Sequence, residues 1–151
     1  MLNFDTRLKF FNYLVIRNQL HTNYIRSKYD ANVSPNCTFC NNARETVKHL
    51  FWDCPVTIQF LEEYDERMVG INEDYRTEWT RRDFIFSNKY RSVLRPYNIA
   101  ALYIKKYIWR VKSQGRRPIP EEFVGYLRIQ TNDLRKAFSN NVFLSQLPYV
   151  L

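Results

Sequence analysis

The sequence predicts a mostly α-helical fold, and three observations carry that expectation. Only three glycines occur in 151 residues, which suits helices better than a turn-rich β protein. Apolar residues recur at helical spacing in the stretches 4–18, 97–114 and 120–138. The third observation is a cluster: Cys37, Cys40, His49 and Cys54 stand as C-x2-C-x8-H-x4-C, the donor set that closes a tetrahedral structural zinc site. A thiolate pair two residues apart can grip one ion from a tight loop, and an imidazole and a third thiolate from a neighbouring helix complete the shell. All three cysteines and one of the two histidines fall in this window, so ordinary buried cysteines explain it poorly. Four donors leave no open position, which disfavours a catalytic metal. The expected architecture is a helical domain organised around one structural Zn²⁺.

In chain order, residues 4–18 read as an amphipathic helix with Asp5 or Asn3 as cap. Phe4, Leu8, Phe11 and Val15 form its inward stripe, with Leu14 beside it. Arg7, Lys9 and Arg17 occupy other faces, as solvated charges or phosphate contacts. Thr22 is placed to cap a short helix through Tyr29. His21 has no companion at ligand spacing and reads as a structural or surface histidine. Pro35-Asn36 and Asn41-Asn42 flank the cysteine pair as turn formers. Thr46 can cap a helix through Val47, Leu50 and Phe51. In a continuous α-helix His49 and Cys54 would lie about 140° apart. Pro55 resolves this by pushing Cys54 out of the α region, and it starts the next helix, with Ile58, Leu61 and Tyr64 facing inward. Gly70 ends that helix, and Asn72-Glu73-Asp74 is polar punctuation.

Residues 71–96 read as an irregular, aromatic-rich connector carrying Trp79, Phe84, Ile85 and Phe86, with Arg81 and Arg82 between them. From Tyr97 to Gln114 a helix presents a broad apolar arc of Ala100, Ala101, Tyr103, Ile104, Tyr107, Ile108 and Val111. Lys105, Lys106, Arg110 and Lys112 fall on the remaining arc with Trp109 among them. Two readings fit that indole: base stacking beside phosphate neutralisation, or packing on another helix with the lysines lying around it. Gly115 ends the helix, and Arg116-Arg117 extend the positive patch. Pro118-Ile119-Pro120 breaks the chain before a last helix whose first turn holds Glu121 and Glu122. Phe123, Leu127, Leu134 and Phe138 form its buried stripe, and Asn140-Asn141 stop it. The remaining Val142 to Leu151 is apolar, suited to docking on the core or on a larger parent's sequence.

Ser34-Pro35-Asn36-Cys37-Thr38-Phe39-Cys40 and Glu45-Thr46-Val47-Lys48-His49-Leu50-Phe51-Trp52-Asp53-Cys54-Pro55 resemble the zinc-binding domain at the carboxyl end of non-LTR (LINE-type) retrotransposon reverse transcriptases. The lead-in Phe10 to Lys28 is similar to the helical segment that precedes the knuckle there. The resemblance is specific from about Phe4 to Phe60 and looser over Ala100 to Phe138. It implies zinc ligands Cys37, Cys40, His49 and Cys54, no catalytic residues, a larger parent polypeptide, and residence in nucleus and cytoplasm.

Composition sets the remaining bounds. With 45% hydrophobic and 17% aromatic residues the chain can build a core. It divides into a helical lead-in plus zinc module (1–70), the connector (71–96) and a basic two-helix segment (97–151), all expected in one domain. A formal charge of +8 points to nucleic acid as the partner before any membrane. An odd cysteine count and no leader-like segment suit a reducing compartment. The expected function is nucleic-acid binding through Lys105, Lys106, Arg110 and Arg117, with Trp109, Lys112 and Arg116 in the same patch and Arg44 and Lys48 near the metal. By resemblance the cargo is element RNA or target DNA during target-primed reverse transcription. The alternative is a structural module bracing the polymerase body or recruiting a host factor. No nucleophile–base pair or convergent carboxylate set supports an enzyme.

Overall fold

Helices account for most of residues 6–71, 80–86 and 96–137, which the computed structural model describes, and no strand occurs among them. Helix α1 spans Thr6–Ile16 and buries Leu8, Phe11 and Val15 as the spacing requires; its proposed caps Asn3 and Asp5, and Phe4, lie outside the described residues. It stops two residues early because Asn18 takes the left-handed conformation (φ 55°). The Asn18 and Gln19 amides then turn back to the carbonyls of Val15 (3.0 Å) and Leu14 (2.8 Å), closing a Schellman-type end.

Helix α2 is only Asn23–Arg26, and Thr22 precedes it in extended conformation without a side-chain cap bond. The cap is Glu45, whose Oε1 accepts from the Asn23 amide at 2.8 Å. Helix α3 runs Pro55–Ile71, continuing through Gly70. Its inward face is Thr57, Phe60 and Tyr64, with Leu61 half-buried, whereas Ile58 is 40% exposed. The face is set by Phe60, which meets Tyr107 at 5.8 Å and Phe123 at 6.0 Å between ring centroids.

Within the expected connector, Arg81–Phe86 forms helix α4, and Phe84 is buried with its ring 5.6 Å from Trp52. Trp79 and Asn72 to Asp74 fall outside the described residues. Helix α5, Pro96–Ser113, buries every member of the expected apolar arc. Gly115 (φ 66°) ends it, its amide and that of Arg116 returning to the Lys112 and Val111 carbonyls at 2.9 Å. Helix α6, Pro120–Ala137, buries Phe123 and Leu127; the side chains of Leu134 and Phe138, and residues 138–151, are not among those described. Between α5 and α6 the Tyr107 hydroxyl accepts from the Ile119 amide at 3.1 Å and lies 3.1 Å from Glu122 Oε2. Burial, with lesser contributions around it, pushes that phenol up to about 12.

The sequence expectation fails at the other arc of α5. Lys105 is fully buried, its Nζ donating to Asn12 Oδ1 at 2.9 Å and to the Ile85 carbonyl at 2.6 Å. Lys112 is also buried, paired with Glu45 at 3.0 Å. The cause is placement: α1, α4 and α6 all pack on α5, which narrows its wet side to the stripe of Lys106, Trp109, Arg110 and Ser113. One hydrophobic cluster accordingly joins Phe11 and Phe51 near the amino terminus to Ile104, Ile108 and Phe123.

Burial pushes the Lys105 ammonium down from 10.5 to about 7. Between those values the unfolded chain binds the proton that the folded chain has released, so this residue makes stability rise with pH across the window. Lys105→Met should flatten that rise, measured as urea midpoints at about pH 7 and about pH 10, the two ends of the interval.

Candidate metal centre

The first two donors sit in a tight loop. Its arms meet at an isolated antiparallel bridge between Asn36 and Arg44, with the Cys37 amide on the Ala43 carbonyl and the Glu45 amide on that of Pro35, both at 2.8 Å. Asn41 makes the turn at φ 57°, a conformation asparagine tolerates. The Phe39 amide points at Cys37 Sγ (3.4 Å), while the Phe39 ring is buried in the core.

The second two donors bracket a π-helical turn, His49–Asp53, which His49 opens and Cys54 follows. Thr46 caps its entry, Oγ1 accepting from the His49 amide at 3.0 Å. The Cys54 amide bonds to the His49 carbonyl five residues back at 2.8 Å. That i→i+5 closure stacks residues five apart, which an α-turn would separate. Cys54 itself is extended (ψ 126°), as the following proline demands. The π turn orphans one acceptor, because the amide that would next serve the Leu50 carbonyl belongs to Pro55, which has no hydrogen. Thr57 fills the gap, its hydroxyl donating to Leu50 O at 2.7 Å.

The four donor atoms lie within 4.8 Å of one another. Cys37 Sγ and Cys54 Sγ are 3.8 Å apart, and Cys40 Sγ and His49 Nε2 3.3 Å. A tetrahedral zinc with bonds of about 2.3 Å to sulfur sets two thiolates about 3.8 Å apart, so the cage fits one Zn²⁺. All three cysteines are free of disulfides. The Cys54 thiol is lowered to about 5, first by its contact with Cys37 and then by the Thr57 and Val56 amides at the start of α3, against burial. The same contact and burial push Cys37 up. A divalent cation replaces the proton such a pair retains.

Beside the cage lies Glu45, fully buried. Its Oε1 accepts from the Asn23 amide (2.8 Å) and Lys112 Nζ (3.0 Å), and Oε2 from the Thr38 amide and hydroxyl, both at 2.8 Å. Sequence reasoning assigned this residue no role, although it is the lone carboxylate between Asp30 and Asp53.

The expected nucleic-acid contacts divide. Arg44, Lys48, Arg110, Arg116 and Arg117 are exposed. Arg44 lies over the Tyr24 ring, Lys48 pairs with Asp53 at 3.2 Å, Arg110 lies over Tyr126 and Arg116 pairs with Glu122 at 2.8 Å. Lys106 is half-buried with its ammonium 4.7 Å from the Phe11 ring centre. Trp109 is half-buried and packs on Phe11 at 6.4 Å with Lys112 over its face. Lys105 and Lys112 are buried.

One zinc per chain is expected by metal analysis, and Cys54→Ser should abolish it and lower stability by about 4 kcal/mol or more in a denaturant melt. Glu45→Ala should cost about 3–5 kcal/mol because Lys112 is left buried without its anion; adding Lys112→Met should recover part of the loss.

No curated protein and no solved structure matches this chain. Residues 2–60, which hold all four donors, match the family described as zinc-binding in reverse transcriptase, a zinc module accessory to the polymerase rather than a catalytic domain.

Proposed function

We propose that this chain is the nucleic-acid-binding zinc module of a non-LTR reverse transcriptase protein, holding element RNA or target DNA while reverse transcription is primed at a nicked site. The observation that carries the reading is the position of exposed Arg44 and Lys48 beside the metal cage of a reverse-transcriptase zinc module. The metal and Glu45 fix the backbone on which these two cations stand, so their charge is presented in a set geometry. Arg110, Arg116 and Arg117, at the end of α5 and in the loop after it, add a second exposed group. A chain of +8 gains affinity for phosphates by counterion release, which is indifferent to sequence. The work so proposed belongs in the nucleus and cytoplasm, alongside the rest of a larger polypeptide. Among the described residues no helix is long and apolar enough to cross a membrane.

A structural role, bracing the polymerase body or recruiting a host protein, is favoured by one feature. Phe10 (61% exposed) and Tyr13 (51%) stack at 6.5 Å on the outer side of α1, and paired exposed aromatics commonly mark a protein contact.

Anisotropy with single-stranded RNA, duplex DNA and an RNA–DNA hybrid at two salt concentrations separates the two. Nucleic-acid binding predicts affinity that falls steeply with salt. Arg110→Glu with Arg117→Glu should weaken it about tenfold while the melt stays unchanged. No saturable binding to any of the three rejects the proposal, and unchanged affinity in the folded variant favours the brace.

A further inference from the structure

We propose that the cleft between the end of α1, the Thr46–Lys48 segment and α4 holds one unstacked nucleotide of a single strand. This rests on the nucleic-acid reading above and adds a site to it. The cleft measures about 730 Å³, within the range of about 300–1,000 Å³ typical of small-ligand sites. Ile16, Val47 and Ile85 supply aliphatic wall, and Lys48, Arg81 and Arg82 supply cationic groups. No acidic residue lines it among those described.

The two halves of that lining select the ligand class together. A bare phosphate would satisfy the cations and leave the aliphatic wall without a partner. An apolar ligand would bury the wall and use none of the charge. A nucleotide does both, its base lying against Ile16, Val47 and Ile85 and its phosphates meeting the guanidinium and ammonium groups. Lys48 is tied to Asp53 only by an exposed pair, which a phosphate readily exchanges. Arg81 and Arg82 are exposed. In a duplex the base is paired and stacked, and entering the cleft would require extruding it. The site therefore distinguishes single strands from duplexes, which the surface cations alone do not.

The test uses the full zinc-loaded chain, a short single-stranded RNA containing 4-thiouridine, and a duplex of the same sequence. Photocross-links should map to peptides holding residues 46–48 or 80–85; cross-links confined to other peptides overturn the proposal. Ile16→Gln replaces part of the aliphatic wall without changing charge or adding a stacking ring, and should weaken single-strand affinity about tenfold, with duplex affinity unchanged. Arg81→Glu with Arg82→Glu should lower single-strand affinity by more than duplex affinity. Folded variants that bind single strands as the parent chain does, or lose both forms equally, overturn the cleft while leaving the broader function standing. A parent chain that binds no nucleic acid overturns both.

Discussion

The carboxylate of Glu45 is the interaction on which the arrangement of this chain depends. A buried anion is tolerated only when its acceptor sites are filled, and here donors come from three separate places: the first amide of α2, the Thr38 residue between two zinc ligands, and Lys112 on α5. Its backbone is engaged as well, the amide on the Pro35 carbonyl and the carbonyl facing the Tyr24 amide at 3.4 Å. One side chain thus ties the metal loop to the helix before it and to the central helix some seventy residues later. Losing either member of the Glu45–Lys112 pair leaves the other charge buried without its counter-ion.

The metal cage rests on departures from regular helix that compensate one another. Bringing His49 under Cys54 requires an i→i+5 turn, and such a turn is held only if its extra backbone groups find partners. Pro55 cannot provide one, and the hydroxyl of Thr57 does. The three thiolates of this cage, held with the His49 imidazole within 4.8 Å, repel one another until a cation joins them, and this makes binding energy into folding energy. The amides that begin α3 steady Cys54 as its charge develops. Sequence spacing, proline, threonine and metal therefore act on one short segment in the same sense.

Charge on this protein has two uses. Lys105 and Lys112 serve the interior, where each meets an oxygen partner that burial makes necessary. Arg44, Lys48, Arg81, Arg82, Arg110, Arg116 and Arg117 remain at the surface. Arg44 and Lys48 flank the metal-bearing segment, and Lys48 joins Arg81 and Arg82 at the cleft beside it. The zinc cage and the helices packed around it give these surface cations a rigid support.

Local chemistry was enough to determine much of this from the sequence. The four donors, the extended Cys54 before Pro55, the cap at Thr46, the ends of α5 and the apolar arcs of α1 and α5 each depend on residues a few positions apart, and short-range sterics and spacing decide them. Which side of a helix meets solvent is a different kind of fact. It depends on how many neighbours surround the helix, so Lys105 and Lys112 read as part of a basic face until α1 and α4 close over Lys105 and Glu45 meets Lys112. Ile58, expected to face inward, is exposed for the same reason, since aromatic rings from α5 and α6 draw Phe60 to the inward side of α3. The π turn and the burial of Glu45 likewise appear only in three dimensions, because each satisfies groups that lie far apart along the chain or that only the assembled metal cage brings together.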